Sequence, residues 1–339
     1  MPAMKLRHII FTALTLALSS LAQAQDNCRP IETSDPKSSI WITAKEIVQP
    51  GKYCLTHDIK APRISDFSSG GERSYSGDML AIRASNVMVD LHGFAINVDA
   101  RGMTGVRSGH QWNIPFPSRI TIRNGTIKSR SQSAVVFAMP DGSLLSDFKA
   151  IYQTPRFAED EFQKLSKALP QSTDAYPRTE NLIEHMKVEA DIINDGVACM
   201  SCIAIGMKGA SNIIRNSTIE VADGHAAIYL FGPNQLIENN IIIFKGKAAV
   251  ESAAAIKLHQ ADGTIIRNND IIIESSGEDA AKAAISLIDS KNVVVEGNRI
   301  YGIKTLMHAW DDKSTVIDRN NDFRSMLRRP WATGEPGVH

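Results

Sequence analysis

The sequence predicts an all-β solenoid, a stack of parallel coils, and three observations carry that reading. One short phrase recurs at steps of 23 to 31 residues, apart from a single step of 61. A second phrase recurs between its copies. Both phrases are runs of Ile, Val and Ala too short for helices, and such a period of short β-rich segments means stacked coils rather than one globular sheet.

The first phrase is two β-branched or apolar residues, a charged residue, Asn, two more residues and an apolar one. It reads Ile120-Thr121-Ile122-Arg123-Asn124-Gly125-Thr126-Ile127, returns at 212–219, 235–242, 264–271 and 293–300, and is degenerate at 87–93 and 182–186. Taking the residue three before the final apolar one as a marker gives Gly93, Asn124, His185, Asn216, Asn239, Asn268, Gly297 and Asn320. Asn at a bend tolerates left-handed backbone and can bond its equivalents in neighbouring coils. The second phrase is Ala226-Ala227-Ile228-Tyr229-Leu230-Phe231, Ala254-Ala255-Ile256-Lys257-Leu258-His259 and Ala283-Ala284-Ile285-Ser286-Leu287-Ile288, with weaker members from Leu80 to Leu306. Each coil then carries about three strands, each bonded to the same strand one coil on at about 4.8 Å. Leucine-rich repeats share this period but need a regular Leu/Asn frame that is missing here.

These repeats resemble those of right-handed parallel β-helix proteins of the pectin lyase-like superfamily. The stretch from Ile47 to Leu55, followed by Val89-Asp90-Leu91-His92-Gly93, is similar to the start of many such bacterial proteins. The resemblance covers about residues 40–325 and implies the fold. For activity it implies only a range, because the superfamily hosts lyases, hydrolases, epimerases and non-enzymes. Family signatures narrow it little: Gly224-His225 is followed by Ala226 rather than Gly, and Asp311-Asp312 comes after it rather than before.

Residues 1–24 read as a secretory signal peptide: Lys5 and Arg7, an apolar run from Ile9 to Leu18, then Ala22-Gln23-Ala24. The apolar run is shorter than the about 20 residues a membrane span needs. The expected location is periplasmic or secreted, with no membrane span in the mature chain. Residues 25–79 are expected to cap and lead into the helix, 80–325 to form it, and 326–339 to be a tail. The long step contains an insertion at 140–180 with helical spacing of Phe162, Leu165 and Leu169, either a binding loop or a cover for one side of the stack. Export places Cys28, Cys54, Cys199 and Cys202 where disulfides persist, pairing Cys28 with Cys54 and Cys199 with Cys202. Beyond residue 24 the chain has 35 Lys+Arg against 37 Asp+Glu, which excludes a dedicated nucleic-acid binder.

Alternation turns the second phrase into a surface map. If Ile228, Ile256, Ile285 and Met307 point inward, the outward stripe is Arg83, Arg107, Val136, Ala204, Tyr229, Lys257, Ser286 and His308. Beside it lie Phe231, His259, Ile288 and Trp310, with Gln260, Asp289 and Asp311 at the bend. Aromatic faces pack on sugars and cations pair with uronate carboxylates, so Arg83, Arg107, Tyr229, Phe231 and Trp310 are candidate binding residues for a polysaccharide or oligosaccharide. Candidate catalytic residues are Lys257, His259, His308, Asp289 and Asp311. In β-elimination, Lys257 or His259 is the base and Arg107 or His308 neutralises the carboxylate. No cofactor is required, although a lyase could use Ca2+ for that neutralisation. In hydrolysis, Asp289 and Asp311 would flank the bond. The third reading is a binding or structural protein without catalysis. His225, after Asp223-Gly224, reads as a turn residue, and the Asn-x-Thr triplets at Asn124 and Asn216 as bends rather than glycosylation sites.

Overall fold

The computed structural model describes residues 28–32, 41–61, 76–99, 103–109, 117–130, 133–138, 176–191, 203–222, 224–245, 253–275 and 280–325. The signal peptide, the Cys199–Cys202 pair, most of the 140–180 insertion and the 326–339 tail lie outside the described residues. Every regular element among the described residues is a strand, and every printed pairing of strands is parallel. No helix among them is long and apolar enough to cross a membrane.

The strands form three ladders running along one axis. The first holds nine strands, from Trp41–Ile47 through Ala226–Phe231 and Ala254–His259 to Met307–Ala309. The second runs from Arg29–Pro30 through Leu236–Glu238 to Val316–Arg319, and the third from Ile59–Lys60 through Ile241–Lys245 to Asp322–Arg324. The second and third merge into one 17-stranded sheet because Ile120–Ser129 and Leu182–Ala190 run unbroken around the bend between them. The coils already begin in the lead-in region, since Trp41–Ile47 pairs with Ser76–Ile82 and Gly51–Cys54 with Val87–Asp90. Cys28 and Cys54 are joined as a disulfide with Cα atoms 5.7 Å apart, stapling this first coil.

All eight markers adopt positive φ, from 50° at Asn216 to 84° at Gly93. Only Gly and, at modest cost, Asn visit this region readily, so the marker composition follows from the bend it makes. The residue after the marker supplies a second element. Asn240 Nδ2 donates to Asn269 Oδ1 at 3.1 Å, Asn269 Nδ2 to Asn298 Oδ1 at 3.0 Å, and Asn298 Nδ2 to Asn321 Oδ1 at 2.9 Å. Each Oδ1 also accepts the main-chain N–H of the preceding Asn, and each Nδ2 also donates to a carbonyl one coil back. Buried amides cost little only when all their donors and acceptors are used, and this ladder uses them.

Between the ladders lies an unbroken apolar core built from the inward column of each sheet, with Ile228, Ile256 and Ile285 stacked in one of them. The twin alanines make a corner. Ala227 and Ile228 both lie in this core, whereas Ala226 belongs to a separate outer cluster, and the register skips Ala227 between Ala204 and Ala255. On the solvent side of the second sheet, charges alternate rung by rung: Asp90, Arg123, Glu184, Arg215, Glu238, Arg267, Glu296, Arg319. The pairs Asp90–Arg123, Glu184–Arg215 and Glu238–Arg267 close to 2.7 Å. Each half-exposed pair contributes at most about 1 kcal/mol, but together they favour one rung order over any shifted one.

Two substitutions separate the bend from the ladder. Asn269→Ala leaves several buried amide partners unmatched and is expected to lower stability by about 2–4 kcal/mol. Asn268→Ala, at φ 54°, is expected to cost about 1–2 kcal/mol while Asn268→Gly costs little. Urea-unfolding midpoints of the three variants measure both effects.

Candidate functional site

The outer face of the first sheet carries the chemistry. Register stacks Arg107, Val136, Gly206, Tyr229, Lys257, Ser286 and His308 in one column on successive coils. The next column holds Lys208, Phe231, His259 and Ile288, with Trp310 following on the last strand. Two positions differ from the sequence map. Ala81, not Arg83, stands level with Arg107, and Gly206, not Ala204, stands level with Tyr229. Both slips are of two residues, so the face is preserved and only the column changes. Arg83 instead pairs with Glu46 at 2.8 Å.

The map also expects an open face, and this is corrected. Tyr229 and Lys257 are each 1% exposed and His259 2%, and Phe231 is buried with them. Tyr176, the first described residue within the 140–180 insertion, takes part in this burial. It shares an apolar cluster with Tyr229, Phe231, Val136, Ile203 and Ala226. Its hydroxyl donates to Gln260 Oε1 at 2.6 Å, and Lys208 Nζ lies 5.9 Å from its ring centre.

Within the buried cluster the contacts are specific. Lys257 Nζ lies 2.8 Å from His225 Nε2 and 5.1 Å from the centre of the Tyr229 ring. His225 meets Tyr229 edge-on at 5.2 Å between ring centres. Tyr229 Oη is 3.3 Å from His259 Nδ1. Phe231 packs against Tyr229 at 4.4 Å and stacks on His259 at 5.0 Å. Further along, His308 and Trp310 pack at 4.5 Å, and Trp310 Nε1 donates to Ser286 Oγ at 3.0 Å.

Burial sets the electrostatics. It pulls the Lys257 ammonium down from 10.5 to about 7. It pulls His259 from 6.5 to about 3, with the Lys257 charge adding to that shift and Asp311 opposing it. It also holds His225 well below its ordinary value, again reinforced by Lys257, and lowers Lys208. The imidazoles are therefore neutral and Lys257 loses its proton near neutrality, so the pair Lys257–His225 shares at most one proton there. A neutral amine beside a phenol is able to take a proton from carbon.

The structure assembles some candidates and separates others. Lys257, His259, Tyr229 and Phe231 meet, and His308 and Trp310 lie two coils beyond Lys257 and His259 on the same face. Arg107 stands four coils from Lys257, about 19 Å at the inter-strand spacing, and is engaged by Asp78 at 2.7 Å and Thr104 at 2.9 Å. Asp311 accepts hydrogen bonds from the main-chain N–H groups of Asp289, Lys313 and Ser314 and from the Ser314 hydroxyl. Against the cost of burial, those bonds hold its carboxyl below the usual range. Asp289 Oδ2 accepts from Gln260. This pair thus serves the bend, and the two free carboxylates that hydrolysis needs are not formed by it. His225 does sit at the bend before Ala226–Phe231, as the sequence reads it, but its side chain is fully buried against Lys257, which its neighbours in sequence do not signal. Lys208 was also missed; counting two residues further along its strand would have aligned it with Phe231. Among the described residues one group of three metal-ligating side chains converges, Cys28, Cys54 and His92. Two of these are the disulfide and none offers oxygen, so the group does not suit Ca2+.

A family model described as right handed beta helix region matches residues 196–327. Among solved structures, the enzymatically active domain of tailspike protein 2 of bacteriophage CBA120 superposes with a TM-score of 0.50 at 11% identity, over 88% of this chain. The chain spans 39% of that tailspike domain. The A-module of a mannuronan C-5 epimerase of Azotobacter vinelandii gives a TM-score of 0.28 at 11% identity, over 83% of this chain and 90% of the module. No curated protein matches the sequence. Fold and repeat define the class: a parallel β-solenoid with a buried basic and aromatic cluster on one sheet. More particularly, the chain has the right-handed parallel β-helix fold.

The buried cluster makes stability depend on pH in two windows. Between about 7 and 10.5 the unfolded chain keeps a proton on Lys257 that the folded chain has lost, so stability rises with pH. Between 6.5 and about 3 the unfolded chain binds a proton at His259 that the folded chain refuses, so stability falls as pH falls. The variant Lys257→Met is expected to flatten the upper limb and leave an acid limb, measured by denaturation at a series of pH values.

Proposed function

We propose that the protein is an exported, carbohydrate-directed β-helix protein that acts on an acidic glycan by β-elimination, with Lys257 as the base. One observation carries this reading: Lys257 Nζ sits 2.8 Å from His225 and over the Tyr229 ring, where burial brings its titration to about 7. In the reaction the amine takes the proton α to the uronate carboxylate. The C–H electrons form the new double bond, the bond to the leaving oxygen breaks, and that oxygen takes a proton from the Tyr229 hydroxyl, which His259 positions at 3.3 Å. Lys208 and His308 each stand two coils from Lys257 and offer cationic or imidazole groups to uronate carboxylates further along the glycan. The aromatic pairs Tyr229–Phe231 and His308–Trp310 offer flat faces to sugar rings. Because Lys257 and His259 are buried, substrate access requires this face to open.

The same burial favours a second reading, in which the cluster is packing beneath a cover and the protein binds or scaffolds without catalysis. For location, the Cys28–Cys54 disulfide supports an oxidising compartment, and N-terminal sequencing of the protein from the periplasm or medium tests removal of residues 1–24.

The activity is tested against a panel of acidic polysaccharides, read by the absorbance of unsaturated uronates and by reducing ends. Unsaturated product is expected, rising with pH through about 7 as Lys257 deprotonates, and insensitive to chelators. Lys257→Ala is expected to lower turnover by about 10²–10⁴-fold in a folded protein. Reducing ends without unsaturation would assign hydrolysis instead. Binding without either product, weakened by Trp310→Ala, would assign the non-catalytic reading.

A further inference from the structure

The last coil departs from the rest at one inward position. The inward column of the second sheet runs Val89, Ile122, Ile183, Ile214, Ile237, Ile266 and Val295, all fully buried. Its next member, paired with Val295, is Asp318. The asparagine ladder changes at the same place. In earlier coils each Asn Nδ2 donates forward to the next Asn, but no further coil follows Asn321 among the described residues, and its Nδ2 donates to Asp318 Oδ1 at 2.6 Å. One carboxylate thus ends the apolar column and takes the bond that a further coil would have taken.

We infer that Asp318 is a stop built into the C-terminal end of the solenoid, and that it prevents this end from pairing with the same end of a second copy of the chain. The end has what such pairing needs. Met307–Ala309, Val316–Arg319 and Asp322–Arg324 are the outermost rungs of their ladders among the described residues, and Phe323, in the inward column below Ile300, is 43% exposed. Open edges of this kind template further strands unless a charge is set inward against them. Adding a rung over Asp318 would strip water from a carboxylate with an apolar column on its other side. The opposite end is blunted differently: its outermost strand in this ladder is Arg29–Pro30, two residues long, and proline offers no N–H. The partner surface for an unstopped end is therefore another C-terminal end, related by a two-fold axis, rather than an N-terminal end in a growing fibre.

The test uses the full chain with Asp318→Val, which continues the column, and Asp318→Ala, which removes the carboxylate without adding bulk. Light scattering is expected to show about a twofold rise in mass with concentration for Asp318→Val relative to the unsubstituted chain. The rise should be weaker for Asp318→Ala. Hydrogen exchange should slow in peptides spanning 305–325 of the associated species and not at residues 28–54. Folded variants that both keep the mass of the unsubstituted chain at every concentration overturn the inference. So does association that leaves exchange at 305–325 unchanged, or that grows into fibres.

Discussion

Every coil depends on finding its hydrogen-bond partners at the same position one coil away. The strands do this through their main chain, and the bends do it through side chains: Asn240, Asn269, Asn298 and Asn321 at one bend, Asn181, Asn212, Gln235 and Thr264 at another. An unmatched buried amide there costs about 1–3 kcal/mol. Bend positions are therefore held to Asn, Gly and a few polar residues. Length is free to vary only in the loops, which is why steps of 23, 29 and 31 residues coexist.

That constraint also decides what kind of site the fold makes. Side chains come in columns, so groups that meet in space are about one coil apart in sequence: His225 and Lys257, or Tyr229 and His259. The outer face of the first sheet is then assembled from strands that each bring an outward residue at one position, while the inward neighbours Ile228, Leu230, Ile256 and Leu258 stay in the core. Covering such a face removes water from whatever charge it holds. The desolvated Lys257 amine follows from that cover, since its column neighbours Tyr229 and Ser286 supply no countercharge.

Period, parallel pairing and the bend residues were legible because they repeat. Each of the eight markers turns out to be left-handed, including His185, which matches the phrase least well. Parity was legible for the same reason. What failed was the count along weak strands. Ile203-Ala204-Ile205 fits the repeat equally well at two registers differing by two residues, because alternation has period two, and the choice moved Lys208 out of sight. Burial of the outer face was not legible at all. Among the described residues it involves Tyr176, which lies outside the repeat and which no periodicity locates. His225 was missed because the corner at Ala226-Ala227 breaks alternation at the residues that follow it.

Under the proposed β-elimination, the bends account for the base being an amine rather than a carboxylate. A bend presents main-chain N–H groups that need acceptors, and nearby aspartates are drawn into that role. Asp90 accepts from His92 N, Asp58 from Ala95 N, Asp262 from Lys291 N, and Asp311 from three such groups. A carboxylate so engaged is oriented for the fold, and the bonds to Asp311 also hold its carboxyl below the usual range. Lys257 and Tyr229 sit mid-strand on the outer face, where the main chain is already satisfied by neighbouring rungs and makes no demand on side chains. Around the buried cluster of the first sheet, the outward mid-strand positions carry Tyr229, Lys257 and Ser286 rather than Asp or Glu.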